Sequence, residues 1–313
     1  MLRLRSAGRS VCSLLTVNCP LNLLTPELLH GLRNLPLAAR QAAEGFLNGA
    51  HASRRHGAGM EFSQYRPYQP GDDLRRLDWR LAARSDRYYL RESEIETSLT
   101  VHLLLDASAS MNHRDDNGLT KLDYARLLLG ALAHLATQQG DAVGLTILSP
   151  AGLRHLAPRA DARQLPRLYH ALETTAAAGH FPTPETLAPL TARRQRALTV
   201  CVSDLYEEGA EINALLTRLR ATSGDLLLLH LMAHNELEFT YQGALTFRDL
   251  ETGQTLQIDA GPQRTAYQQQ LQAWLRDTAQ QARRQGFDYH LLDTSQPLDT
   301  AMREFIRRRN LGS

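Results

Sequence analysis

The chain has 313 residues, with 35 Lys and Arg against 33 Asp and Glu, for a formal net charge of +2. Hydrophobic residues make up 43% and charged residues 22%. These proportions exclude a mainly disordered, fibrous or collagen-like chain, and the near-neutral charge removes the simplest case for a nucleic-acid binder. The length allows one large domain or two smaller ones. Among the Lys and Arg residues Lys121 alone is a lysine. The arginines are scattered among acids, which reads as a mixed-sign surface and an Arg-favouring codon bias. Cys12, Cys19 and Cys201 show no zinc-type spacing and no complete disulfide framework, so a reducing cytoplasm is the expected location. Cys201 sits in the apolar run 198–202 and reads as a small buried hydrophobe.

Arg3, Arg5 and Arg9 precede a short apolar run, Val11 to Val17, in the manner of a weak signal peptide without a small-residue cleavage site. A membrane span needs about 20 predominantly apolar residues, and no stretch of the sequence offers them. Residues 1–25 are therefore read as a ragged extension. Over residues 26–50, Leu28, Leu29, Leu32 and Leu35 recur at helical spacing; Pro36 interrupts, and the pattern resumes from Leu37 to Leu47. From Gly57 to Glu96 the chain is rich in Gly, Arg, aromatics and acids. Short strands are expected there, with Pro70-Gly71-Asp72-Asp73 as a turn. Residues 26–96 thus form a helical and small β-arm region.

Residues 97–313 alternate strands and helices. Strands are expected at 98–105, 142–148, 197–203, 225–232 and 287–292. Helices are expected at 121–139, 162–177 (Pro166 in its first turn), 211–220, 265–285 and 298–309. A hairpin is expected where 245–250 and 254–258 flank Glu251-Thr252-Gly253. Short apolar strands separated by helices predict an α/β fold, a mostly parallel sheet covered on both faces.

Ligands of open α/β sheets bind beyond the carboxyl ends of the strands. Two apolar strands here end in Asp106 and Asp204. The first continues as Asp106-Ala107-Ser108-Ala109-Ser110-Met111, and in an extended loop Asp106, Ser108 and Ser110 point the same way. A carboxylate and two hydroxyls are hard oxygen donors suited to Mg²⁺ or another hard divalent ion such as Mn²⁺ or Ca²⁺, and Asp204 adds a second carboxylate.

Asp-x-Ser-x-Ser after an apolar strand, with a later strand-end Asp, resembles the metal-ion-dependent adhesion site of von Willebrand factor type A domains, a Rossmann-like fold. The resemblance implies that Ser108 and Ser110 bind the ion directly, that Asp106 and Asp204 act directly or through water, and that a middle-loop Thr completes the set. Thr183 is the expected residue and Thr186 the alternative, although the flanking prolines depart from the family pattern. It also implies an open coordination position that accepts an Asp or Glu of a partner protein. Gly59-Met60-Glu61-Phe62, Arg66-Pro67-Tyr68, Pro70 to Arg75, Asp78-Trp79, Ala83-Arg84 and the acidic run 92–96, with Phe247 to Gly253, Tyr267 and Asp288-Tyr289, resemble the prokaryotic family catalogued as domain of unknown function 58. Its members often carry a von Willebrand type A-like region and are often encoded beside MoxR-type AAA+ ATPases, which implies such an ATPase as partner.

In the β-arm region Asp72, Asp73 and Asp78 alternate with Arg75 and Arg84, and Trp79 offers a flat face for a guanidinium. That pattern fits either an ion-paired brace or a partner-docking surface. The histidines match no metal-binding motif, and His180, near Thr183, is the one worth testing. No phosphate-cradling GxxxxGK[ST] loop occurs, and no GxSxG elbow. The leading expectation is a non-enzymatic protein-interaction module that works with a MoxR-type ATPase on client proteins. The alternative is a metal-dependent hydrolase or phosphatase; a haloacid dehalogenase-type phosphatase needs a second Asp where Ser108 stands. Nucleic-acid binding is the least favoured reading.

Overall fold

The computed structural model describes residues 34–56, 64–68, 88–92, 98–183, 185–187, 195–206 and 211–312. Helix α1 (Leu35–His56) is followed by two short antiparallel strands, β1 (Gln64–Pro67) and β2 (Tyr89–Glu92). Then come β3 (Thr100–Asp106), a 3-10 turn (Ala109–Asn112), α2 (Lys121–Gln138), β4 (Ala142–Ser149), β5 (Gly152–Arg159), α3 (Gln164–Glu173) and β6 (Gln195–Ser203). They lead into α4 (Glu211–Thr222), β7 (Ser223–Met232), the short α5 (His234–Glu238) and the hairpin β8 (Ala244–Arg248) and β9 (Thr255–Asp259). The chain closes with α6 (Ala260–Arg284), β10 (Asp288–Asp293) and α7 (Asp299–Gly312).

The central sheet has six strands in the order β10-β7-β6-β3-β4-β5, all parallel except the edge strand β5. Period-2 alternation divides its apolar side chains between two layers. Leu103, Leu105, Val200, Val202, Leu227 and Leu229 enter the core shared with α1, α2, α3 and α7. Leu104, Cys201, Leu226 and Leu228 enter the core shared with α4 and the end of α6. Both faces are dry, which is why these strands read as unbroken apolar runs. Among the described residues no helix is long and apolar enough to cross a membrane.

Three elements depart from the sequence reading. The expected helical residues 26–33 lie outside the described residues; from Leu35 on, Pro36 sits in the first turn of α1, and Asn34 caps that turn by accepting from the Leu37 amide at 2.9 Å. A proline costs little there, because its missing N–H would have had no intrahelical partner. Pro262 likewise lies in the first turn of α6, capped by Asp259, so that helix begins five residues before the expected Thr265. Strand β5 was not among the expected strands; it carries Pro158, which an edge strand tolerates. The ladder shifts register beside Gly144, and the Gln164 amide donates to the Val143 and Ala157 carbonyls at 2.8 and 2.9 Å, filling the gap.

A Cβ on Gly144 would lie 2.8 Å from Pro158 Cγ and 2.9 Å from the Leu156 carbonyl oxygen, the latter being backbone that cannot swing away. Gly144→Ala is expected to destabilise the fold by about 1–3 kcal/mol in denaturant unfolding. His102 and His155 stack at 5.4 Å and share the Thr146 hydroxyl. Burial, then the neighbouring His155, pushes His102 from 6.5 down to about 4. The folded state disfavours the proton that the unfolded chain accepts, so this contribution is complete above pH 6.5 and lost as pH falls toward 4. His102→Gln should flatten the stability profile over that window in thermal melts.

Candidate functional site

Strands β3 and β6 are hydrogen-bonded neighbours, paired through Leu105 and Val202, and from them the chain departs toward opposite edges of the sheet. Their carboxyl ends therefore flank a topological switch point. Asp106 and Asp204 project there, and both are fully buried. Asp106 accepts from the Ser108 amide at 2.9 Å and from the Ser203 hydroxyl at 2.6 Å. The loop is clamped from both sides: the Ala107 amide bonds the Leu148 carbonyl, the Ala178 amide bonds the Ala107 carbonyl, and the Ala109 amide bonds the Gly179 carbonyl. Burial, then the charge of Asp204, pushes the Asp106 carboxyl up to about 7 against those hydrogen bonds.

Ser108, Ser110 and Asp204 form one file of oxygens. Ser108 Oγ lies 3.0 Å from Ser110 Oγ, which donates to Asp204 Oδ1 at 3.1 Å. Adjacent ligands in an octahedron with bonds near 2.0–2.1 Å stand about 3 Å apart. The three are hard oxygen donors of the kind such an ion takes. Thr183 is exposed, and its hydroxyl pairs with Thr186 at 3.3 Å. Among the described residues no hydrogen bond joins either threonine to this file. Asp72, Asp73, Arg75, Asp78, Trp79 and Arg84 lie outside the described residues.

The other oxygen of Asp204 faces a residue that the sequence pattern left inconspicuous. Lys121, the first residue of α2 and 1% exposed, places Nζ 2.6 Å from Asp204 Oδ2 and 3.1 Å from Glu236 Oε1. Its ammonium also lies 4.8 Å from the centre of the Tyr206 ring. Burial opposes the lysine charge, but Asp204 and then Glu236 outweigh it, and the pKa is raised. Tyr206 stacks on Trp274 at 5.1 Å, and His230 meets the same indole edge-on. His230 bonds the Asp204 carbonyl oxygen and the Tyr289 hydroxyl, and burial holds it down at about 4. Leu205 adopts φ 55°, an uncommon left-handed backbone for a branched residue, between Asp204 and Tyr206.

Glu236 comes from α5, a five-residue helix with no periodicity to announce it. Asp115 fixes that helix by accepting from the His234 and Asn235 amides at 3.0 and 3.1 Å and from the Thr294 hydroxyl at 2.5 Å. A cleft of about 340 Å³ opens above Ser110, Lys121, Tyr206 and Glu236, and Arg248 to Glu251 of the β8–β9 hairpin line it from the other side. Glu251 is tied to His180 at 3.0 Å, so the hairpin tip is anchored to the segment that leads to Thr183. Cys201 is buried as expected, and burial, then Asp106, pushes its thiol up to about 12.

Sheet order, switch point and serine loop together define a von Willebrand factor A-like α/β domain. The chain belongs to the family described as "Protein of unknown function DUF58", whose family model matches residues 64–277. It is 26% identical over 244 residues to "Uncharacterized protein Rv1480" of Mycobacterium tuberculosis, covering 76% of this chain and 75% of that one. Solved structures similar to it include BatB from Bacteroides thetaiotaomicron (14% identity, 68% of this chain and 100% of that one, TM-score 0.43). Another is the SpRpn10 VWA domain (12% identity, 68% and 95%, TM-score 0.35).

Asp115→Ala removes the acceptor of several buried donors at once. It is expected to cost about 2–4 kcal/mol in unfolding experiments. It should also raise hydrogen exchange at the His234 and Asn235 amides, while Asp106 and its serine loop remain protected.

Proposed function

We propose that this protein captures an acidic side chain of a partner protein through a divalent cation, Mg²⁺ or a similar hard ion, held by Asp106, Ser108, Ser110 and Asp204. A cation held there would offer its open position to a carboxylate. The observation that carries the reading is the file of three oxygens from two strand ends, spaced 3.0 and 3.1 Å apart. Ser108 and Ser110 supply oxygen without charge, and Asp106 is braced by Ser203 and the loop amide rather than aimed freely into the cleft. Such a donor set leaves a bound cation electron-poor, so that it favours an external anion. Thr183, or Thr186, is part of the proposal as the further ligand. A role without turnover, in the cytoplasm, and with a MoxR-type AAA+ ATPase as the working partner completes the reading. The ATPase rests on the family resemblance alone.

The purified MoxR-type ATPase from the same genome, immobilised, is expected to retain this protein in Mg²⁺ and release it in EDTA. Asp106→Ala and Ser110→Ala should each weaken retention at least tenfold while the circular dichroism spectrum stays unchanged. Equal retention of wild type and both variants, with and without EDTA, would exclude a metal bridge.

A further inference from the structure

We propose that Lys121 is a tethered counter-cation of the site: it holds Asp204 and Glu236 together when no divalent ion is bound, and it weakens the site's grip on a free ion so that ion and acidic partner group load together. This rests on the metal-site reading above and adds to it the residue that sets the charge of the site.

The geometry divides Asp204 in two. Oδ1 takes the Ser110 hydroxyl on the side of the oxygen file, while Oδ2 takes Lys121 Nζ at 2.6 Å. The lysine is 1% exposed, so protein groups replace nearly all of its hydration. An ammonium has three N–H donors. Here one serves Asp204 and one Glu236, while the Tyr206 ring lies 4.8 Å away. A buried ammonium held in this way is pinned at both ends, because Glu236 also caps α5 by accepting from the Ala233 amide at 2.9 Å.

Charge explains what the arrangement does. Asp204 and Glu236 share the Lys121 ammonium, and Asp106 lies at the adjacent strand end, so one ammonium offsets one of three neighbouring acids. With the ion bound and Asp106 ionised, the two carboxylates that remain balance its charge with no negative excess, so an arriving carboxylate meets a site able to accept it. Without Lys121 the same three acids would form a tight trap for a free ion and would repel the partner's acid. Residue choice agrees. In a chain that uses arginine at every other basic position, this place holds the lysine, a compact point charge where a planar guanidinium would need more room and more acceptors.

The test is calorimetric titration of Mn²⁺ into wild type, Lys121→Met and Glu236→Gln, each with and without excess acetate as the carboxylate probe. Wild type is expected to bind Mn²⁺ weakly alone and more tightly with acetate. Lys121→Met should bind Mn²⁺ about ten- to a hundredfold more tightly without acetate, by removal of a like charge a few ångströms away, and acetate should no longer help. The same variant should melt at lower temperature without metal and regain the difference when Mn²⁺ is added. Glu236→Gln, nearly isosteric and still able to cap α5, should shift Mn²⁺ affinity the opposite way, which keeps the test decisive if Lys121→Met does not fold. Unchanged Mn²⁺ affinity in a folded Lys121→Met, or in Glu236→Gln, would overturn the role of the lysine and leave the metal site standing. No Mn²⁺ binding by any of the three proteins, with acetate present, would overturn the metal site and this inference with it.

Discussion

Two carboxylates buried side by side are the constraint from which the rest of the site follows. Parallel pairing of β3 with β6 sets Asp106 and Asp204 at adjacent strand ends, where neither is exposed. An isolated ionised carboxylate in such surroundings is too costly to persist, so each must be protonated, hydrogen-bonded or matched by a cation. The chain uses all three means. Ser203 and the Ser108 amide bind Asp106, burial pushes that carboxyl toward protonation, and Lys121 matches Asp204. The serine file between the two acids is what remains for a ligand to use.

Much of this was legible in the sequence, because the relevant signals are local. An apolar run that ends in Asp is a buried strand delivering an acid to the sheet edge, and Asp106-x-Ser-x-Ser states its own spacing. The capping of α2 by Thr120 and Asp123 confirms the expected start of that helix at Lys121. What was not legible is what tertiary structure assembles. Lys121 has the position and neighbours of an ordinary first-turn residue, and only its being the sole lysine set it apart. Glu236 rides on a helix too short to show a period, held by Asp115 and Thr294 from distant parts of the chain. Pro36 reads as an interruption, whereas a first helical turn has no use for the missing N–H.

The β8–β9 hairpin shows how the α/β frame is elaborated around its ligand edge. Phe239, Tyr241 and Phe247 pack in edge-on and stacked contacts, and Phe239 also meets Tyr267 of α6 at 4.7 Å. That aromatic knot gives the hairpin its own small core, so its tip can stand over the cleft without relying on the sheet beneath. The Tyr267 hydroxyl bonds the Glu236 carbonyl oxygen, linking the knot to the helix that carries the second partner of Lys121. Hairpin, α5 and lysine are thus mechanically joined, and a ligand that disturbs one acts on all three.

Leu205 adds a local argument to the same end. Its left-handed backbone costs roughly 1–2 kcal/mol, and a glycine there would remove the penalty. What the conformation secures is the turn after Asp204, in which the Tyr206 amide bonds Asp204 Oδ1 at 3.3 Å and the Leu205 amide bonds the Ser203 hydroxyl at 3.0 Å. The strained residue thereby aims Ser203 at Asp106 and turns Tyr206 beneath the ammonium, while its own side chain packs into the second core layer. A fold that needed only stability would relax this turn. Holding it strained orders both acids at once.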